Sequence, residues 1–345
     1  MLIKRFLFLT AMALAGCAGD ADQTPTPDAG LGDGGVPPIS FPRDEAPHQE
    51  QMEWWYYTGR LTTPGGGVYG FELTFFQPRV AGKYLHIVHL ALTDMVKKKY
   101  FNVMQLTGEP APGPPAKGFW LKVGDTEIKG HAGQDHIKAK MDGYAFDLSL
   151  SSTKPVTLQY GTGWMKVGSD SPFYYYSYTN MAAKGSLTVG AKTEQVTGKV
   201  WMDHQWGTIG DGYGWDWFSL RLDDGDELML FNVHRDGKQG FAGGTLTKKD
   251  GTSTVLAKGD FTVTNMGSWT SPHTKTTYSH GWKLAVPSLK LDATVTPLIT
   301  DQEFSHTWMG SPTYWEGLCD VKGTRDGEAL KGHAYVEITG KIPTW

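Results

Sequence analysis

The sequence predicts an all-β protein of two consecutive barrels or sandwiches, on three observations. Apolar and polar residues alternate over short runs, Asp-Gly dipeptides close many of those runs, and no segment carries a sustained helical stripe. GVYGFELTFF (67–76), YLHIVHLALT (84–93), YAFDLSLSS (144–152), WFSLRLDDGDELMLFNV (217–233) and GHAYVEITG (332–340) read as strands. Asp142-Gly143, Asp224-Gly225, Asp236-Gly237, Asp250-Gly251 and Asp326-Gly327 suit the positive-φ positions of tight hairpins. The chain from Phe41 onward is long enough for about two domains. MAAKGSLTVGAKTEQVTGKV (181–200) lacks aromatics and separates two aromatic-rich halves, which places the junction near residue 195 and the domains at 41–195 and 196–345. TGRLTTPGGGVYGFELTFF in the first half shares a loose strand-turn-strand pattern with FSLRLDDGDELMLFNV in the second.

The N-terminus has a different character. Residues 1–17, MLIKRFLFLTAMALAGC, combine Lys4 and Arg5 with a short apolar run and a small-residue site ending at Cys17, a pattern that resembles a bacterial lipoprotein signal. The expectation is lipidation of Cys17 and a lipid-anchored envelope protein, with Ala18 after the cysteine favouring the outer membrane. The run is too short for a spanning helix. Residues 18–40, rich in Gly, Pro and Asp, read as a flexible tether because they cannot bury enough surface to offset their ordering entropy.

Composition narrows the function classes. The net charge of −4 and scattered basic residues argue against nucleic acid as a partner, with Lys97-Lys98-Lys99 reading as a solvated turn. Only Cys319 remains in the folded part, so no intramolecular disulfide staples it. The 12% aromatic content must supply the core instead. His86 and His89 fall on opposite faces of a strand, and neither a His-x-His pair nor a Cys cluster is present, so the pattern predicts no metal and no cofactor. Signatures of serine hydrolases, phosphate loops and dinucleotide sites are absent.

Three segments embed ionisable groups among large aromatics. In WMDHQWG (201–207), strand alternation sends Trp201, Asp203 and Gln205 one way and Met202, His204 and Trp206 the other. Asp203 and His204 are therefore not a mutual acid–base pair. In MEWWYYTG (52–59), Glu53, Trp55 and Tyr57 share one face, and in YWEGL (314–318) Tyr314, Glu316 and Leu318 do. Aromatic surroundings desolvate a carboxylate, raise its pKa and make it a proton donor near neutral pH. The bland alternative is that such acids only satisfy neighbouring N–H groups inside a core.

EWWYYTG (53–59), YGFELTFFQ (69–77), YYSYT (175–179), GKVWMDHQWG (198–207), WDWFSLRLDDG (215–225), YWEG (314–317) and AYVEITG (334–340) resemble the AttH and carotenoid 1,2-hydratase (CrtC-like) group, which includes proteins catalogued as predicted secreted hydrolases. The resemblance implies two lipocalin-like β-barrels and an apolar small-molecule ligand. It also implies chemistry of the hydratase kind, water adding to an isoprenoid C=C bond, at the strand carrying His204 and Trp206. On that basis Asp203 or Asp216 is the expected acid, His204 the group that handles water and Trp206 the cation stabiliser. Glu53, Trp55, Tyr57, Trp201, Trp217, Tyr314 and Glu316 are the expected ligand-lining residues. Gln205 stands where many relatives carry Glu and cannot donate a proton as an acid. The rival reading is a carrier that holds apolar ligands in a barrel without chemistry.

Overall fold

The computed structural model describes residues 35–107, 116–166, 171–210, 213–235, 238–306 and 313–339. Cys17, the leader and the tether as far as residue 34 lie outside them. The first sheet is built from β1 (Met52–Thr62), β2 (Val68–Phe76), β3 (His86–Asp94), β4 (Lys99–Thr107), β5 (Phe119–Val123), β6 (Thr126–His131), β7 (Gln134–Met141), β8 (Tyr144–Ser152), β9 (Phe173–Val189) and β10 (Lys192–Gly207). The second is built from β11 (Tyr213–Leu222), β12 (Glu227–Arg235), β13 (Lys238–Thr247), β14 (Ser253–Ala257), β15 (Thr262–Asn265), β16 (Trp282–Val286), β17 (Leu291–Pro297), β18 (Tyr314–Arg325) and β19 (Glu328–Ile338). Shorter strands pair alongside β9 and β18 or form two separate two-stranded ribbons, and the described residues contain no α-helix.

Both sheets follow the same path. In the first, the order is β4-β3-β2-β1-β10-β9-β8-β7-β6-β5, and in the second β14-β13-β12-β11-β19-β18-β17-β16-β15. Each is an up-and-down antiparallel meander whose first strand pairs with its last, the order of a barrel opened at one seam. In the first barrel that seam lies between β4 and β5. Gln105 crosses it, donating from Nε2 to the Lys140 carbonyl at 3.0 Å and accepting from Thr126 Oγ1 at 2.8 Å. The hairpins β1–β2 and β11–β12 open the two barrels, so the patterns that look alike in sequence occupy equivalent places.

The junction differs from the expected one. β10 runs from Lys192 to Gly207 and pairs with both β1 and β9, so all of it belongs to the first barrel. The chain changes barrel after Gly207, before Tyr213. Residues 181–200 lack aromatics because the far end of the β9–β10 hairpin faces solvent: Lys192, Thr193, Gln195 and Thr197 are exposed. The tether also ends earlier than expected, since Pro37 accepts from Tyr174 Oη at 3.0 Å and Ile39 packs on the first core.

Each barrel has its own apolar interior, and a third core joins them. Tyr56, Phe173, Tyr175 and Trp201 from the outer face of the first barrel pack with Trp217, Met229, Phe231, Leu318 and Tyr335 of the second. This is why β1, β9 and β10 carry aromatics at both strand parities: one face fills a barrel and the other fills the interface. At Gly70 an added Cβ would stand 2.6 Å from Tyr335 Oη, so glycine permits the close approach of β2 to β19. A buried ion pair fixes one edge of the interface. Lys154 Nζ meets Glu227 Oε2 at 2.5 Å, and Glu227 also accepts from Thr179 and Asn180.

Breaking that pair from one side strands a buried charge, which costs about 3–5 kcal/mol, whereas removing both charges costs much less. Urea unfolding of Lys154→Met, Glu227→Gln and the double variant should show singles several-fold more damaging than the double. Additive single effects would mean that the two groups are not coupled.

Candidate functional site

The register of three adjacent strands brings the site together. Glu53 lies opposite Trp206 and Trp55 opposite His204 across β1–β10, while Tyr174 and Tyr176 lie opposite Trp206 and His204 across β9–β10. All six point into the mouth of the first barrel. His204 Nε2 lies 2.7 Å from Glu53 Oε1, and His204 Nδ1 lies 3.1 Å from Tyr176 Oη. Its ring stacks on Trp55 at 4.4 Å. Both His204 and Glu53 are fully enclosed, at 0% and 1% exposure.

The third member comes from outside the strands. His48, in the segment that crosses the barrel mouth ahead of β1, sets Nδ1 at 2.8 Å from the same Glu53 Oε1. Its backbone N–H donates to Glu53 Oε2 at 2.8 Å, and its ring stacks on Trp206 at 4.1 Å and 6°. His48 Nε2 faces Asp44 Oδ1 at 3.4 Å. The His48 side chain keeps 18% exposure, so it connects the enclosed pair with solvent. The segment itself is held by Glu45, which accepts from the Ala132 N–H at 2.7 Å and meets His131 Nδ1 at 2.6 Å.

Charge follows from this geometry. Burial lowers the His204 pKa, and the hydrogen bond to Glu53 only partly offsets it, so the ring is held neutral. Burial also acts on His48, but Glu53 and Asp44 outweigh it and raise its pKa. A carboxylate oxygen accepts, so each imidazole donates to Glu53 Oε1, and His204 Nδ1 accepts from Tyr176. Glu53 thus links a solvent-touching imidazole that holds its proton more tightly than usual with an enclosed one that holds it less tightly. Such a chain can store, deliver and recover a proton. The same atoms, His48 Nδ1, Glu53 Oε1 and His204 Nε2, lie within 4.8 Å of one another and are the donor set among the described residues suited to a metal ion.

The other expected residues lie elsewhere. Tyr57 is on the site's face but deeper, with its hydroxyl donating to Asp135 Oδ2 at 2.8 Å. Asp203 and Trp201 face the interface, where Asp203 accepts from Tyr175, Ser177 and Trp201. Burial raises the Asp203 pKa to about 7. Asp216 lies in the second barrel, its nearest ionisable partner His234 at 3.7 Å, with burial raising its pKa to about 6. Neither aspartate shares a space with His204, so the carboxylate beside His204 is Glu53. Gln205 also points away from it, with Oε1 accepting from Trp54 Nε1 at 3.0 Å. Trp217 meets Trp201 in the interface with ring centres 6.0 Å apart. His48 and Tyr176 were not singled out by the sequence: His48 has no periodic setting, and its only signal is being a histidine five residues before Glu53.

Tyr314 and Glu316 join a separate buried group between the barrels. Tyr56 Oη donates to Glu316 Oε1 at 2.6 Å, Tyr314 Oη lies 3.3 Å from Glu72 Oε1, and His89 Nδ1 lies 2.8 Å from Tyr314 Oη. Burial raises Glu72 to about 7 and Glu316 well above the carboxylate range, with the Glu72 charge adding to the Glu316 shift.

The family model for AttH-like proteins matches residues 35–341. The chain belongs to the AttH-like family. This AttH-like chain is similar to the crystal structure of an AttH protein from Nitrosomonas europaea, at 27% identity and TM-score 0.79, covering 90% of this chain and 99% of that one. Kievitone hydratase from Nectria haematococca shares the fold at 18% identity and TM-score 0.72, covering 90% and 96% of the two chains. CghA shares it at 10% identity and TM-score 0.51, covering 91% and 97%. No curated protein matches the AttH-like chain in sequence.

The interface acids give a pH test. Glu72 is raised from 4.5 to about 7, so the native state favours its neutral form; that contribution is complete below about pH 4.5 and lost as pH rises through 7. Glu72→Gln should flatten the fall in unfolding free energy between about pH 5 and 8 and gain roughly 1–3 kcal/mol at the upper end. An unchanged pH slope in chemical denaturation would show that Glu72 does not titrate in this range.

Proposed function

We propose that the protein is a hydratase-like enzyme that adds water across a C=C bond of an apolar, isoprenoid- or lipid-like small molecule at the mouth of the first barrel. We further propose that lipid on Cys17 holds it at the cell envelope, in the outer membrane. The observation that supports the chemistry is Glu53 Oε1 shared by His48 and His204 at 2.8 and 2.7 Å beneath the Trp206 and Trp55 rings.

Hydration of an alkene requires a proton delivered to one carbon, brief stabilisation of the cation on the other, and water to trap it. The His48–Glu53–His204 relay supplies the proton, and the Glu53 carboxylate offsets the charge of the cation; Trp206, the expected cation stabiliser, is covered by His48 on one face and by Tyr174 on the other. Water forms the new C–O bond, and its excess proton returns to the relay. Tyr176 orients the His204 ring through Nδ1. A fold relative named as a hydratase is in keeping with this reading.

Incubation with acyclic isoprenoids and unsaturated fatty acids in heavy-oxygen water should yield labelled alcohol. His204→Ala and Glu53→Gln should each lose about 100-fold or more in kcat, as removal of a positioned acid–base group does. Absence of labelled alcohol from every substrate, with circular dichroism showing a folded protein, would overturn the assignment.

A further inference from the structure

We propose that His48 Nδ1, His204 Nε2 and Glu53 Oε1 bind one divalent transition-metal ion of the zinc class, an inference that rests on this cluster being the working centre. The three atoms fall within 4.8 Å of one another, and Glu53 Oε1 is 2.7 and 2.8 Å from the two nitrogens. Two imidazoles and a carboxylate form the donor set of zinc sites that leave a fourth position for water, with bonds of about 2.0–2.2 Å. To surround a common centre the nitrogens move apart from Glu53 Oε1, whose hydrogen-bond contacts are shorter than the separation of two ligands on one ion.

The surrounding atoms decide in favour of an ion. An imidazole that binds metal through one nitrogen carries its proton on the other and needs an acceptor there. Both rings have one. His48 Nε2 faces Asp44 Oδ1 at 3.4 Å, and His204 Nδ1 faces Tyr176 Oη at 3.1 Å. Glu53 Oε2 is already engaged by the His48 N–H at 2.8 Å and by Gln77 Nε2 at 3.4 Å, which leaves Oε1 to bind through a single oxygen. Trp206 on His48 and Trp55 on His204 restrain the two ring planes, so the donors are positioned before an ion arrives. Without the ion, protons take its place between the nitrogens and Glu53. Loading moves the His204 proton from Nε2 to Nδ1, turns the Tyr176 hydroxyl to accept it, and releases the His48 Nδ1 proton to solvent. His48 alone among the three is open to solvent, so an ion reaches the site from its side.

The test uses the full chain stripped with chelator and titrated with Co²⁺ and Zn²⁺. One ion per chain is expected, with visible Co²⁺ bands of low-symmetry, four-coordinate type. His48→Ala and Glu53→Gln should weaken binding by about 100-fold or more, and Asp44→Asn by roughly 10–100-fold, while thermal unfolding shows each variant folded. Absence of saturable one-to-one binding, or equal binding by folded His48→Ala, overturns the metal site. Hydration by chelator-stripped protein keeps the proton-relay reading, and the ion site then stands or falls on one-to-one binding alone. One-to-one binding that depends on His48, without turnover of any alkene, keeps the site and removes the hydratase.

Discussion

The structure depends on strands whose two faces are both buried. β1, β9 and β10 form the wall between the interior of the first barrel and the interface with the second, and nearly every residue from Trp55 to Gly59 and from Val200 to Gly207 is enclosed. Alternation then acts as a sorting rule. Glu53, Trp55, Tyr176, His204 and Trp206 go to the barrel mouth, while Tyr56, Tyr175, Trp201 and Asp203 go to the interface. A slip of one residue in the β1–β10 register would exchange the two sets and destroy both. Aromatic density on both parities is therefore a structural requirement before it is a chemical one.

That rule explains what the sequence disclosed. Strand runs and Asp-Gly turns were legible because they record local geometry, and the split of WMDHQWG into two faces follows from a period of two residues. The partners of His204 were less accessible. Glu53 lies 151 residues away and comes opposite only through the pairing of the first and last strands of a barrel. His48 belongs to no periodic run, and Asp216 looked equivalent to other aromatic-flanked acids until the chain's change of barrel placed it elsewhere. The junction was misread for a related reason: composition reports exposure, and a solvent-facing hairpin end resembles a linker.

Gln205 lies outside the cluster around His204. Position 205 faces Trp54, away from His204, so an amide there satisfies an indole N–H without touching the His48–Glu53–His204 cluster. The carboxylate that matters to His204 is on β1. Asp203, despite standing next to His204 in sequence, accepts three hydrogen bonds in the interface and holds β9 and β10 to one another.

The segment across the barrel mouth then has a role that neither barrel can supply. It closes the first barrel through Glu45 on the β6–β7 turn and Phe41 against the edge of Tyr176, with ring centres 5.0 Å apart, and it carries His48 to Glu53. His204 and Glu53 sit on rigid, doubly buried strands, whereas His48 sits on a connection tied down by a few polar contacts. The strand-borne pair takes its place from the register, and the segment brings the third group through its own contacts. Opposite environments for the two imidazoles follow directly: the strand-borne ring loses solvent and stays neutral, while the segment-borne ring keeps solvent and two carboxylates and holds its charge. The two imidazoles that share one carboxylate therefore differ in proton affinity because one stands on a strand and the other on the segment that covers it.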